Sequence, residues 1–188
     1  MSQAKTLTQA EIDHVLAYIA TRRFALRNRV MLLTSFWSGM RVGEIASLKV
    51  GDVMNTDGTA KAEVRLAAEQ TKGRQPRTVF LPEKLRVELQ RYMDLRRVTD
   101  ATQPLFVTAG AKAFSANVLT QHFFWLYRNA GIAGASSHSG RRSFITNLAS
   151  KGIGVRVLAS LAGHRSINVT MKYIDVNDDM KRNAVELI

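Results

Sequence analysis

One stretch constrains the fold of this chain more than any other. It runs from His138 to Tyr173 and reads HSGRRSFITNLASKGIGVRVLASLAGHRSINVTMKY. Phe144, Ile145 and Leu148 stand at helical spacing and predict the core face of one helix, and Val155, Val157, Leu158 and Leu161 predict that of a second. Ala162-Gly163 ends the second helix, because glycine takes the left-handed conformation without a Cβ clash. That turn throws His164 clear, and a short helical run from Ser166 to Tyr173 brings a phenol back toward it. His138 and Arg141, at i and i+3, share a helix face and can point at one anion. The segment thus gathers a guanidinium, two imidazoles and a phenol, unusual company for a tyrosine that merely fills a core.

The charge balance narrows what that anion could be. Against 15 Asp+Glu the chain carries 27 Lys+Arg, a net charge of +12, spread along its length rather than gathered in a tail. Such an excess favours a polyanionic partner, since each phosphate neutralised releases counterions. Nucleic acid is the first reading, an anionic membrane surface the second, and a merely soluble basic domain the third. With 188 residues the chain suits one domain with a real core. Cysteine is absent, so there is neither a disulfide framework nor a thiolate metal site, and four scattered histidines speak against zinc. No apolar signal core or membrane-length run appears, which makes the cytoplasm the expected compartment and a membrane an unexpected partner.

Upstream, Thr8-Gln9-Ala10-Glu11 is a helix-start pattern followed by the apolar stripe Ile12, Val15, Leu16, Ile19. A second helix is predicted from about Phe24 to Ser38, with Val30, Leu33, Thr34 and Trp37 inward, and Gly39 stops it. Arg41 then sits between that stop and a short helix from Val42. It can form an ion pair with Glu44 or bind an anion. Residues 62–66 and 77–81 have strand character and bracket a basic tip, Thr71 to Pro76. Lys72 and Arg74 at that tip read as solvated charges or as ligands for a polyanion. Pro82 opens a helix to about Val98 with Leu85, Leu89, Tyr92 and Met93 inward. After a loop broken by Leu105-Phe106-Val107, Ser115 caps a helix from Ala116 to Asn129, with Leu119, Phe123, Phe124, Leu126 and Tyr127 assigned to the core. Its first turn offers Asn117, Thr120 and Gln121, either plain polar surface or readers of base edges. In the tail, Asn177 or Asp178 can cap a last helix with Met180, Ala184, Leu187 and Ile188 as its stripe.

Taken together, His138-x-x-Arg141, Leu161-Ala162-Gly163-His164 and a tyrosine nine positions on resemble the carboxy-terminal signature of the tyrosine recombinases, the phage-integrase family. Gly39-Met40-Arg41-Val42-Gly43-Glu44 resembles that family's first arginine motif. Thr71-Lys72-Gly73 followed by Arg77-Thr78-Val79-Phe80-Leu81-Pro82 resembles its hairpin. The resemblance implies an α+β, mainly α-helical catalytic-domain fold with a small antiparallel three-stranded sheet. It implies a catalytic set of Arg41, Lys72, His138, Arg141, His164 and Tyr173, with Glu44 in structural support. Arg74, Ser115, Asn117, Thr120, Gln121 and Arg142 become candidate nucleic-acid contacts. The implied activity is site-specific recombination through a 3′-phosphotyrosine, with no cofactor and no metal. A type IB topoisomerase-like relaxer and a non-catalytic DNA-binding regulator are the alternatives. The implied partner is double-stranded DNA, bound by a tetramer on paired sites and a monomer when free, with an accessory DNA-bending protein as a further partner. The chain is expected to be a single catalytic domain, 1–188, without an amino-terminal core-binding domain, similar to the fimbrial-switch invertases, with a tail helix at 177–188.

Overall fold

The computed structural model describes residues 4–174, 178–186 and 188. The first helix, α1 (Gln9–Ala20), opens where its capping signal stands. The Thr8 hydroxyl accepts from Glu11 N at 3.2 Å, and Glu11 Oε2 accepts from Thr8 N at 3.0 Å. Helix α2 (Ala25–Ser38) stops at Gly39, whose φ of +65° favours glycine and where a Cβ would run into the Phe144 ring. There follow α3 (Val42–Ser47), the single turn α4 (Val50–Val53), β1 (Glu63–Leu66), β2 (Arg77–Phe80), α5 (Glu83–Arg96) and α6 (Ala116–Asn129). The signature stretch forms α7 (Ser139–Ser150), α8 (Val155–Ala162) and α9 (Ile167–Met171), and α10 (Asp178–Val185) lies in the tail.

Helix α2 is the axis on which the rest is laid. It packs against α1, α3, α5 and α7, so Val30 to Phe36 are buried all round rather than on one face, and Trp37, expected inward, is only half-buried. Its closest neighbour is α7: a Cβ at Gly140 would run into the Ser35 side chain. That approach lays the first turn of α7 beside the Gly39 stop, which is what sets Arg141 near Arg41. The chain start holds α7 from the other side, with Leu7 N donating to the buried Ser143 Oγ at 2.7 Å.

Strands β1 and β2 pair antiparallel with Glu63 opposite Phe80 and Leu66 opposite Arg77, and Val64, Leu66 and Val79 face the core. Among the described residues the sheet has two strands, not the expected three. The third is reduced to an isolated bridge, Met54 to Ala60, because Asn55 to Thr59 close a turn on themselves and Ala60 N donates to the Gln90 side chain.

Two residues assigned to the core are outside it. Leu119, Phe123, Leu126 and Tyr127 form the buried stripe of α6, whereas Phe124, about 100° round the helix from Phe123, is 42% exposed. In α8, Leu158, Ala159 and Ala162 are buried and Val157 is exposed for the same reason. In the tail, Ala184 and Ile188 are exposed, and Asn177, Leu187 and the Met180 side chain lie outside the described residues. Among the described residues no helix is long and apolar enough to cross a membrane.

Candidate active site at the junction of α2, α7 and α8

Arg141 is the hub. It is 4% exposed, and its Nη1 donates to Gly39 O at 2.7 Å, its Nη2 to Ala162 O at 2.5 Å. Both carbonyls end helices, where partial negative charge collects, so one guanidinium serves two orphaned helix termini. Burial, with the charge of Arg41 adding to it, pushes Arg141 down to about 9, which leaves it cationic at neutral pH.

The third Arg141 contact, Nη2 to His164 Nε2 at 2.9 Å, fixes the imidazole tautomer. A guanidinium only donates, so Nε2 accepts and the ring proton sits on Nδ1, which donates to the Thr170 hydroxyl at 2.8 Å. Burial first, then the charges of Arg141, Arg41 and Arg77, push His164 down to about 4. The ring is aimed by the α8 stop: Gly163 has a φ of +62°, and a Cβ there would stand 2.6 Å from Arg77 Cδ.

Arg41 forms the ion pair with Glu44 that its sequence context allowed. Its Nη1 donates to Glu44 Oε1 at 3.1 Å and its Nη2 to Gly163 O at 3.3 Å, while a quarter of the side chain stays open to the cleft. Glu44, with 1% of its side chain exposed, is also held by Arg77, from Nη2 to Oε2 at 2.7 Å and from Nε to Oε1 at 3.3 Å. Burial alone would raise the Glu44 carboxyl, but the hydrogen bonds and charges of Arg77 and Arg41 outweigh it and hold it below the usual carboxylate range.

Lys72 comes from the hairpin. With Arg41, Arg77, His164 and Arg165 it lines a cleft of about 460 Å³. The loop is shaped by Thr71, whose hydroxyl donates to Gln75 O at 2.8 Å, and by Arg165, whose Nη2 donates to Gly73 O at 2.5 Å. Lys72 itself is exposed, as is Arg74. His138 is the N-cap of α7, with its backbone already in the helical region and one turn before Arg141. Its ring is exposed by area yet hemmed in enough to lose solvation. That burial, then the charges of Arg141, Lys72 and Arg41, lowers its pKa.

Tyr173 follows α9 and is tied to α7 by Thr146 Oγ1, which donates to its carbonyl at 3.1 Å. Its ring stacks on His164 with centroids 5.7 Å apart and planes 20° apart. Arg142, expected among the nucleic-acid contacts, is half-buried and turned to the same ring, its Cζ 5.4 Å from the centroid and its Nε donating to Thr6 Oγ1 at 3.0 Å. The first turn of α6 lies beside α3, with Ala116 Cβ 3.7 Å from where a Cβ on Gly43 would stand. Ser115 caps it, accepting from Val118 N at 3.2 Å, Asn117 and Gln121 are exposed, and Thr120 is half-buried. Sequence reasoning passed over Arg77, Thr170 and Arg165. Arg77 left a faint signal, an arginine at the mouth of a strand whose register turns it inward; Thr170 and Arg165 left none.

The phage integrase family model matches residues 5–180. The tyrosine recombinase XerA of Pyrococcus furiosus is 31% identical over 187 residues, covering 97% of this chain and 61% of the relative. The chain thus spans about three-fifths of that relative's length. Among solved structures, the crystal structure of XerA recombinase superposes with a TM-score of 0.79 at 23% identity, over 100% of this chain and 66% of that one. XerH site-specific recombinase bound to palindromic difH substrate, in a post-cleavage complex, gives 0.73 at 22% identity, over 98% and 53%. At such identities these two speak for the fold.

Proposed function

The chain belongs to the phage integrase family, and we propose that it is a site-specific DNA recombinase that cuts and rejoins strands through a 3′-phosphotyrosine. The observation that carries this reading is the stacking of Tyr173 on His164, whose neighbour is the buried cation Arg141. A phenol ordinarily titrates near ~10, so few phenolates exist at neutral pH. Nearby cations favour the ionised oxygen during attack. Tyr173 Oη attacks the scissile phosphorus, and its proton passes to a neighbouring base, the role proposed for His138, which feels the charges of Arg141, Lys72 and Arg41. Arg41 and Arg141 bear the charge that grows on the non-bridging oxygens. A bound phosphate would raise His164 from its low value and make it a further donor. The 5′ oxygen leaves with a proton from Lys72, and the bond energy stays in the tyrosyl ester for rejoining. Arg74, Ser115, Asn117, Thr120 and Gln121 are the proposed DNA contacts of the hairpin and α6. The enzyme is proposed to act as a tetramer on paired sites, the exposed tail helix being covered by a neighbour.

The test is a selection. A randomised library of nicked duplexes is incubated with the protein, and DNA surviving denaturation as a protein adduct is sequenced. The expected result is an enriched site joined to Tyr173, with no adduct from Tyr173→Phe although binding persists. An undiminished adduct from that variant removes the reading.

A further inference from the structure

Glu44 is one carboxylate shared by two guanidiniums from different elements. Arg77 occupies it more fully, with Nη2 on Oε2 at 2.7 Å and Nε near Oε1 at 3.3 Å. Arg41 is left with a single side-chain contact to it, Nη1 to Oε1 at 3.1 Å, beside its own backbone N on Oε2 at 2.8 Å. A lone arginine and carboxylate prefer two parallel hydrogen bonds, fork to fork. Three positions apart at the start of α3, Arg41 and Glu44 are close enough to form them. Arg77 stands in the way. It is itself anchored on a third element, donating from Nη1 to Leu161 O at 2.9 Å, with its stem against Gly163.

We propose that Arg77 is a positioning residue for Arg41: by occupying the Glu44 carboxylate it keeps Arg41 from folding onto its own neighbour, and so leaves the Arg41 donors open to a phosphate. This rests on the phosphate-binding reading of Arg41. Without Arg77, the buried carboxylate keeps only Arg41 to neutralise it. An unpaired buried charge is costly, so the pair closes and the guanidinium turns from the cleft.

The experiment uses Arg77→Met, which keeps the stem against Gly163 and loses the fork, and the double variant Arg77→Met with Glu44→Gln. The neutral amide cannot capture Arg41. Two readouts are taken. One is the rate of covalent adduct formation on the selected duplex, and the other is inorganic phosphate binding, which needs no strand cleavage. Arg77→Met is expected to slow adduct formation about 100-fold, the scale of one lost transition-state donor, and to weaken phosphate binding about tenfold. Adding Glu44→Gln is expected to restore at least tenfold of the rate and most of the phosphate affinity. A merely structural arginine gives another pattern: the single variant loses folded protein, its folded fraction binds phosphate like the parent, and Glu44→Gln restores only the thermal midpoint. That result overturns the proposal. So does recovery of Arg77→Met on a duplex with a bridging 5′ sulfur, which would place the defect at Lys72. If the wild-type protein forms no adduct, the recombinase reading fails, while the phosphate titration still decides the role of Arg77.

Discussion

Arg141 and Lys72 bring the same charge to the candidate site from opposite kinds of scaffold. Arg141 lies at the contact of three helices, 4% exposed, with three of its five donors on two carbonyls and an imidazole. Lys72 stands on a hairpin tip, exposed, and donates no hydrogen bond within the described residues. The contrast follows what each is proposed to do. Charge growing on non-bridging oxygens is best met by dipoles fixed beforehand. A proton donor must reach the leaving oxygen and withdraw, and that suits a segment with few packing constraints.

The largest effect should come from the rigid side. Arg141→Ala is expected to cut adduct formation by about 10³-fold or more. It should also lower the thermal midpoint, since each buried carbonyl left without its donor costs about 1–3 kcal/mol. Arg141→Lys should repair little, as a point charge cannot serve Gly39 O and Ala162 O together. An alanine variant that melts like the parent would dissolve the contrast. Lys72→Ala should slow cleavage by about 10²–10⁴-fold, the range for a lost general acid, with the melting point unchanged. A bridging 5′ sulfur should rescue it and leave Arg141→Ala slow. Equal rescue would show that fixed and mobile cations share one task.

Smaller effects separate the hairpin from α6. Arg74→Ala should weaken binding to all duplexes alike and flatten the salt dependence by about one unit of slope. Asn117→Ala should cost about 1–3 kcal/mol on the selected site and little elsewhere, as binding to a duplex panel would reveal. The smallest effect is on stability against pH. His164 and His122 both stand at about 4, burial being the leading cause in each, with arginine charges adding to it. An unfolded histidine titrates near ~6.5. Between these values the unfolded chain binds more protons, so stability is full above about pH 6.5 and declines as pH falls toward about 4. Glu44, held low, adds its own loss only as pH falls through its depressed value. Urea midpoints at pH 7 and pH 5 should show the decline, and His122→Phe should flatten it. A pH-independent midpoint would mean that neither ring is held neutral by the fold.

Much of the site was legible because its signals are local. Thr8 and Glu11 cap one helix, Gly39 and Gly163 end two more, and the spacings from His138 to Tyr173 follow from turns of a few residues. Such patterns depend on backbone sterics and near-neighbour hydrogen bonds, which a string of residues already states. The third strand, the exposure of Phe124 and the turning of Arg142 toward Tyr173 depended instead on what packs from elsewhere. Arg77 is the clearest case. Its partners Glu44 and Leu161 lie 33 and 84 positions away, and no periodicity carries that distance. The sequence by itself determined which guanidinium, imidazole, ammonium and phenol groups the chain carries and roughly where its helices stop. Tertiary structure alone decided which arginine holds Glu44 and which stays open to the cleft, because one buried carboxylate cannot satisfy two forks and packing chooses between them.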